Sequence, residues 1–122
     1  MKRDIMAFID DIVESIKLIE DSIKEVNKRE FKSNKLLVDA TIRRLEIIGE
    51  AVKNLPIEFL GKYPEIPWSE IAGFRDVMAH AYFVVDLERV WRVIKEDLPD
   101  LEVKIKRVKQ DRKKKVSFGK GF

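Results

Sequence analysis

Between residues 3 and 27 the chain contains neither glycine nor proline, and its large apolar residues fall at Ile5, Ile9, Ile12, Ile16, Ile19, Ile23 and Val26. The steps between them alternate between four and three residues. Only a helix brings such positions onto one line, and a line this narrow has to be covered by another helix laid lengthwise against it. Asp10, Glu14, Lys17, Glu20, Asp21 and Lys24 take the remaining faces, as the solvated side of such a helix requires. A chain that begins this way must supply its own helical partners.

The partners are legible further along. Ser33 or Asn34 can cap a second helix that runs to about Asn54, with Val38, Leu45, Ile48, Val52 and Leu55 again stepping by threes and fours and Thr41 inside the same seam. Leu36, Leu37, Ala40 and Ala51 are expected to widen its apolar face. Gly49, mid-helix, marks a close helix contact. Glu46 and Glu50 share a stripe beside Arg43, which suits either acid–base work or a salt-bridged surface. Pro56 opens a short helix over residues 57–62, and Pro64 and Pro67 force an extended link that Trp68 anchors to the body. A further helix begins at Pro67 or Ser69 and reaches Ala79 or Ala81. Asp86 caps the next, with Leu87, Val90, Trp91 and Ile94 on its apolar face. Pro99 is expected to interrupt it, with a restart capped by Asp97 or Asp100. Leu101, Ile105 and Val108 continue the seam until Lys113, Lys114 and Lys115 end it, and the last six residues fray. No strand pattern or repeat is present. The expected fold is all-α, an up-down bundle of four to five main helices and one short one.

Composition narrows the function. At 122 residues and 45% apolar content the chain forms one domain with a core. Without cysteine there is no disulfide framework and no thiolate metal site, and a single histidine argues against a zinc site of ordinary type, so neither a metal nor another cofactor is expected. No apolar run approaches membrane-spanning length and the N-terminus has no continuous apolar stretch, so no membrane association and a cytoplasmic location are expected. Charged residues make up 39% of the chain against one glutamine and three asparagines, a composition that leans thermophilic. The overall charge of +3 conceals a division: residues 104–120 hold nine basic side chains against Asp111 alone, a net +8 that leaves −5 on the remainder. A helical domain over residues 1–103 is thus followed by a basic helix end and tail over 104–122. Arg112, Lys113, Lys114 and Lys115 in that tail suit either a polyanion partner such as RNA or a merely solvated terminal segment.

The chemistry concentrates in residues 73–83, Gly-Phe-Arg-Asp-Val-Met-Ala-His-Ala-Tyr-Phe. Arg75, Asp76, His80 and Tyr82 stand within eight positions, and His80 is the one histidine of the chain. On a helix Arg75 and Tyr82 share a stripe two turns apart, while Asp76 and His80 are neighbours four apart. Arginine offers a planar fork to a phosphate, imidazole titrates near neutrality, and Asp76 can hold one tautomer of His80. Such a set could bind a phosphodiester and break it without a metal. The same residues could also bind a nucleotide or a partner without cleaving anything, as an accessory subunit would.

Arg75-x4-His80-x-Tyr82 resembles the signature of the HepT-like branch of the HEPN superfamily. The resemblance extends over residues 45–51 (Leu-Glu-Ile-Ile-Gly-Glu-Ala), Leu55-Pro56, Tyr63-Pro64-Glu65-Ile66-Pro67-Trp68, Val85-Asp86-Leu87 and Glu96-Asp97-Leu98-Pro99, and covers roughly residues 3–103. It implies a HEPN-type helical homodimer acting as a metal-independent RNA endonuclease, with Arg75, Asp76 and His80 in the catalytic site. It further implies a toxin paired with a small MntA-like nucleotidyltransferase antitoxin that transfers AMP to Tyr82. Ala81 departs from the glycine frequent at that position in the family.

Overall fold

The computed structural model describes residues 4–80 and 86–120, with side chains placed over 4–74 and 86–112. Its elements are α1 (Ile5–Ile23), α2 (Lys28–Ser33), α3 (Lys35–Lys53), α4 (Ile57–Leu60), α5 (Trp68–His80), α6 (Leu87–Arg92), a π-helical turn (Val93–Asp97) and α7 (Leu98–Lys120). No strand occurs among the described residues, and the all-α expectation holds. Four long units, α1, α3, α5 and the continuous α6–α7, make the bundle, and α2 and α4 are short connectors.

The seam of α1 is buried as its period requires. Ile9, Ile12 and Ile16 are fully buried and Ile19 and Ile23 nearly so, with Ile5 and Val26 packed against the edge of the core. The covering helix is α3, which in turn packs along α5, so α3 lies between the two. Val38, Leu45, Ile48, Val52 and Leu55 are all buried. Thr41 is buried within the same seam, and its hydroxyl has no hydrogen-bond partner among the described residues. Gly49 is buried as well. Leu36 and Ala40 depart from the expected apolar face. They are solvent-exposed, because the seam of α3 is narrower than its hydrophobic content suggests.

Caps set most of the boundaries. The first helix stops at Ile23 rather than near residue 27, and α2 follows it, an element the apolar period does not reveal. Its start is a capping box: the Asn27 side chain accepts from the Glu30 N–H at 2.8 Å, and the Asn27 N–H donates to the Glu30 carboxylate at 3.2 Å. Phe31, fully buried, then meets the Trp91 ring at 5.3 Å, while Lys28 and Lys32 both pair with Glu88, fastening α2 to α6. Asn34 caps α3 by accepting from the Leu37 N–H at 3.0 Å. Asp86 caps α6 by accepting from the Arg89 N–H at 3.1 Å.

Trp68 is the anchor expected of it. It is buried, and its indole N–H donates to the carbonyls of Leu60 and Tyr63, each at 3.1 Å, with the Phe59 ring beside it. Since α4 begins just past the end of α3, this anchor makes α5 start where α3 ends and run back along it. On the other side of the bundle, α7 runs antiparallel to α1. Lys109 pairs with Asp10 at 2.9 Å, and Glu102 is hydrogen-bonded to Glu20.

Pro99 does not interrupt the last helix. The ring of a proline collides with the carbonyl four residues back, here Lys95, and removes one N–H from the ladder. The π-helical turn over Val93–Asp97 absorbs both defects: Leu98 donates to the Val93 carbonyl, five residues back, and the helix passes into α7 without a new cap. Asp97 and Asp100 therefore do not cap a restart. The three lysines do not end α7 either, since its backbone continues to Lys120.

The narrowness of the α3 seam is testable. Leu45→Ala should cost about 3 kcal/mol, the usual loss for a fully buried leucine. Leu36→Ala, at a site 83% exposed, should change stability little. Urea unfolding of both variants checks this, and equal losses would contradict the packing described.

Candidate functional site

Arg75, Asp76 and His80 lie on the second half of α5. Buried Trp68, Ile71 and Phe74 face the core, and Ser69 and Glu70 are exposed. At about 100° per residue, helix register sets Asp76 and His80 on the exposed stripe of Ser69, one turn apart. Arg75 follows the stripe of Trp68 and Ile71, about 140° around the helix from His80. Tyr82 lies outside the described residues, as does Ala81. The side chains of Arg75, Asp76 and His80 also lie outside them, and only their places on the helix are given.

Among the described residues, two grooves open on the bundle. One, of about 480 Å³, opens between α1 and α3 and is lined by Phe8, Asp11, Arg43, Glu46, Ile47 and Glu50 among others. Arg43 and Glu46 approach to 3.5 Å at its rim, which realises the neighbourhood expected of that pair. Sequence patterning does not disclose this groove, since its walls come from two helices distant in the chain. The other, of about 280 Å³, lies between the start of α5 and the π-helical turn, with Ile71, Phe74 and Leu101 at its base and Glu70, Asp97 and Asp100 at its edge. Partial burial of the Asp97 carboxyl, followed by repulsion from Glu70 and Glu96, raises its pKa above the ordinary aspartate value, and Arg92 only partly offsets this. No group of three or more potential metal-binding side chains is placed to hold an ion among the described residues. No helix among them is long and apolar enough to cross a membrane.

The basic end is partly engaged by the body. Lys104 donates to the Glu65 carbonyl at 3.0 Å and pairs with Asp100 at 2.9 Å. Lys106 pairs with Glu102 at 3.8 Å. Arg112, expected among the RNA-binding cations, stands over the Phe59 ring at 5.6 Å. Lys113, Lys114 and Lys115 follow on the α7 backbone, their side chains outside the described residues.

The family model for ribonuclease HepT-like proteins matches residues 12–108, which takes in α3, the whole of α5 and the π-helical turn before Pro99. The chain belongs to the HepT-like family. It is 44% identical over 110 residues to a probable ribonuclease HepT of Thermococcus cleftensis, covering 90% of this chain and all of that one. It is 46% identical over 111 residues to a Methanocaldococcus jannaschii protein whose name couples a gamma-glutamylcyclotransferase with a candidate RNase. That match takes in 91% of this chain and spans only half the length of the relative. A candidate RNase of Caldanaerobacter subterraneus is 39% identical over 106 residues, 87% of this chain and 95% of that one. No solved structure matches the chain at a significant level. The HepT-like assignment agrees with the helical architecture.

The Asp97 environment has a pH signature. A carboxylate whose folded pKa is raised binds its proton more readily in the folded state, so folding loses stability as pH climbs through the interval above the ordinary value of 3.8. The penalty is complete at neutral pH and absent below that interval. Asp97→Asn should therefore raise the melting temperature at pH 7 and leave it unchanged at about pH 3. Thermal scans at the two values measure the difference, and an equal gain at both would contradict the electrostatic cause.

Proposed function

We propose that the chain is an RNA endonuclease in which His80 and Arg75 act on the phosphodiester and Asp76 positions His80. The observation that supports this reading is the match to the HepT-like family model over residues 12–108, which takes in the α5 helix that bears Arg75, Asp76 and His80. Cleavage without a metal requires a base for the 2′-hydroxyl, positive charge for the phosphorane and an acid for the leaving 5′-oxygen. His80 serves as base or acid, held in one tautomer by Asp76. Arg75 donates to the non-bridging oxygens, where charge develops. The product is a 2′,3′-cyclic phosphate.

One chain has one histidine, and two proton transfers are needed. A homodimer with its two-fold axis near the α5 helices supplies a second His80 and a second Arg75 to a shared cleft. RNA is drawn in by Lys113, Lys114 and Lys115 on the end of α7. Arg112, seated on Phe59, contributes to the same field from the body.

The protein acts as the toxin of a toxin–antitoxin pair, and a nucleotidyltransferase antitoxin silences it by moving AMP from ATP to the Tyr82 hydroxyl. The transfer joins the α-phosphorus to the phenolic oxygen and releases pyrophosphate. The adduct brings a phosphodiester anion and a purine to the motif, where the anion competes for Arg75 and the base excludes substrate.

His80→Ala and Arg75→Ala should each lower RNA cleavage by at least about 100-fold, as loss of a general acid–base group does. Melting temperatures should stay close to wild type, and EDTA should have no effect. Cleavage retained in a nuclease-free His80→Ala preparation would overturn the assignment, and a chain that binds RNA without cutting it would be an accessory subunit instead.

Intact-mass measurement after incubation with the cognate nucleotidyltransferase and ATP should show AMP-sized additions on wild type and none on Tyr82→Phe. Additions that persist on Tyr82→Phe, or a modified wild type that cuts at full rate, would contradict the regulatory scheme.

A further inference from the structure

The seam that fastens α2 to α6 carries more positive charge than the fastening uses. Residues 28–35 and 86–95 hold seven basic side chains against Glu30, Asp86 and Glu88. That is a net +4 on a body, residues 1–103, whose total is −5, so −9 falls on the rest of it. All three carboxylates are engaged locally. Glu30 accepts from the Asn27 N–H, Asp86 caps α6, and Glu88 takes both Lys32 and, at 3.0 Å, Lys28. Hydrogen bonds from Lys32 and Lys28 hold the Glu88 carboxyl below the ordinary range, so it stays ionised and the trio keeps a net +1. Among the described residues, no carboxylate pairs with the exposed side chains of Arg29, Lys35 or Arg89. Arg92 lies close enough to Asp97 to lower its pKa, and Lys95 stands over the Trp91 ring at 5.4 Å. The next carboxylates along the chain, Glu96 and Asp97, line the groove at the start of α5.

Such a face fits a row of phosphates. Guanidinium forks and ammonium groups spread over two adjoining helices offer separate donors to successive charges, and contacts of that kind position a strand without reading its bases. A protein partner would need an apolar centre to the interface. Here Phe31 is fully buried and the Trp91 ring lies against it at 5.3 Å, so the aromatic surface of the seam is taken up by the core beneath the cations.

Position agrees with charge. His80 closes α5, and Asp86, which caps α6, follows six residues later. Six residues span at most about 20 Å, the length of about six stacked nucleotides. A strand whose phosphate is held at the motif therefore reaches α6 within a few nucleotides.

We propose that the α2–α6 face is a phosphate-binding track for the strand that flanks the cleaved bond, with Arg29, Lys35 and Arg89 contacting the backbone and Lys28 and Lys32 aligned beside them by Glu88. The inference rests on the ribonuclease reading for its substrate and adds to it where on the body that substrate lies.

Salt dependence of binding tests the track. A long fluorescent oligouridylate is titrated with the full-length His80→Ala protein between about 0.05 and 0.2 M salt and followed by anisotropy. Adding Arg29→Gln and Arg89→Gln should lower the slope of log affinity against log salt by about 1.4, two contacts at about 0.7 each, which is about a 25-fold loss of affinity at 0.1 M salt. Helical circular dichroism and melting temperature should not move. Lys17→Gln with Lys62→Gln, exposed lysines elsewhere on the body, changes the net charge equally and should leave the slope nearly as it was. An unaltered slope in the double arginine variant would assign the face to an acidic protein or to solvent and overturn the proposal, as would an equal loss in the lysine control or an absence of RNA binding. A slope lost with the arginines in a protein whose wild type cuts no RNA would retain the track and reject the ribonuclease. Cutting by wild type with an unaltered slope would do the reverse.

Discussion

The placement of α3 between α1 and α5 is the constraint on which the rest of the molecule depends. Each fully buried aliphatic side chain in such a seam contributes about 1.5–3 kcal/mol relative to exposure, and Ile9, Ile12, Ile16, Leu45 and Ile48 are all fully buried. Because one helix serves two interfaces, a change in its rotation would disturb both at once. The motif helix thereby inherits its orientation from a largely apolar seam. The Trp68 anchor fixes where α5 begins, and α3 fixes which way it turns. With those two set, Asp76 and His80 have no freedom in their relative register.

Much of this was legible in the chain, for identifiable reasons. A period of 3.5 without glycine or proline has one structural solution, and the α1 seam is found where Ile5 to Ile23 place it. Asn34, Pro56, Trp68 and Asp86 announce boundaries because each offers or withholds a particular hydrogen bond. The connector α2 escaped because the apolar period runs on to Val26 and masks the break. The signal for it was the capping box of Asn27 and Glu30, a polar pattern rather than an apolar one. Leu36 and Ala40 misled in the opposite sense, since hydrophobicity alone does not say which edge of a helix its neighbours cover. At the candidate site the residue types were readable as phosphate chemistry, and the one-turn spacing of Asp76 and His80 is realised because α5 is helical through His80. The groove of Phe8, Arg43 and Glu46 was not readable, because proximity between α1 and α3 is a property of packing and leaves no local pattern.

The charge division of the sequence also changes meaning in the fold. Counted along the chain, residues 104–120 are uniformly basic apart from Asp111. In the bundle, Lys104, Lys106 and Lys109 pair with Asp100, Glu102 and Asp10, and Arg112 rests on an aromatic ring. Lys109, with the donation from Lys104 to the Glu65 carbonyl, fastens α7 to the bundle, while the pairs with Asp100 and Glu102 lie within the helix itself. The field available to a polyanion is more compact than the formal charge suggests, and it is displaced toward the far end of α7.

The π-helical turn before Pro99 makes the chain length in that region matter as much as its composition. Val90, Ile94 and Leu98 are buried at successive four-residue intervals, ahead of Leu101, Ile105 and Val108. An uninterrupted α-helix would let such a run drift around its surface, and the wider turn cancels the drift. Losing a single residue between Val93 and Asp97 would let ordinary helical geometry return without turning what lies beyond, because the residue removed and the wider turn that held it offset one another at about 100°. Straightening the turn at unchanged length would instead rotate the core side of α7 toward solvent. Among relatives of this chain, a one-residue deletion should be tolerated in this turn and not within α7 itself, because only here does the geometry absorb it.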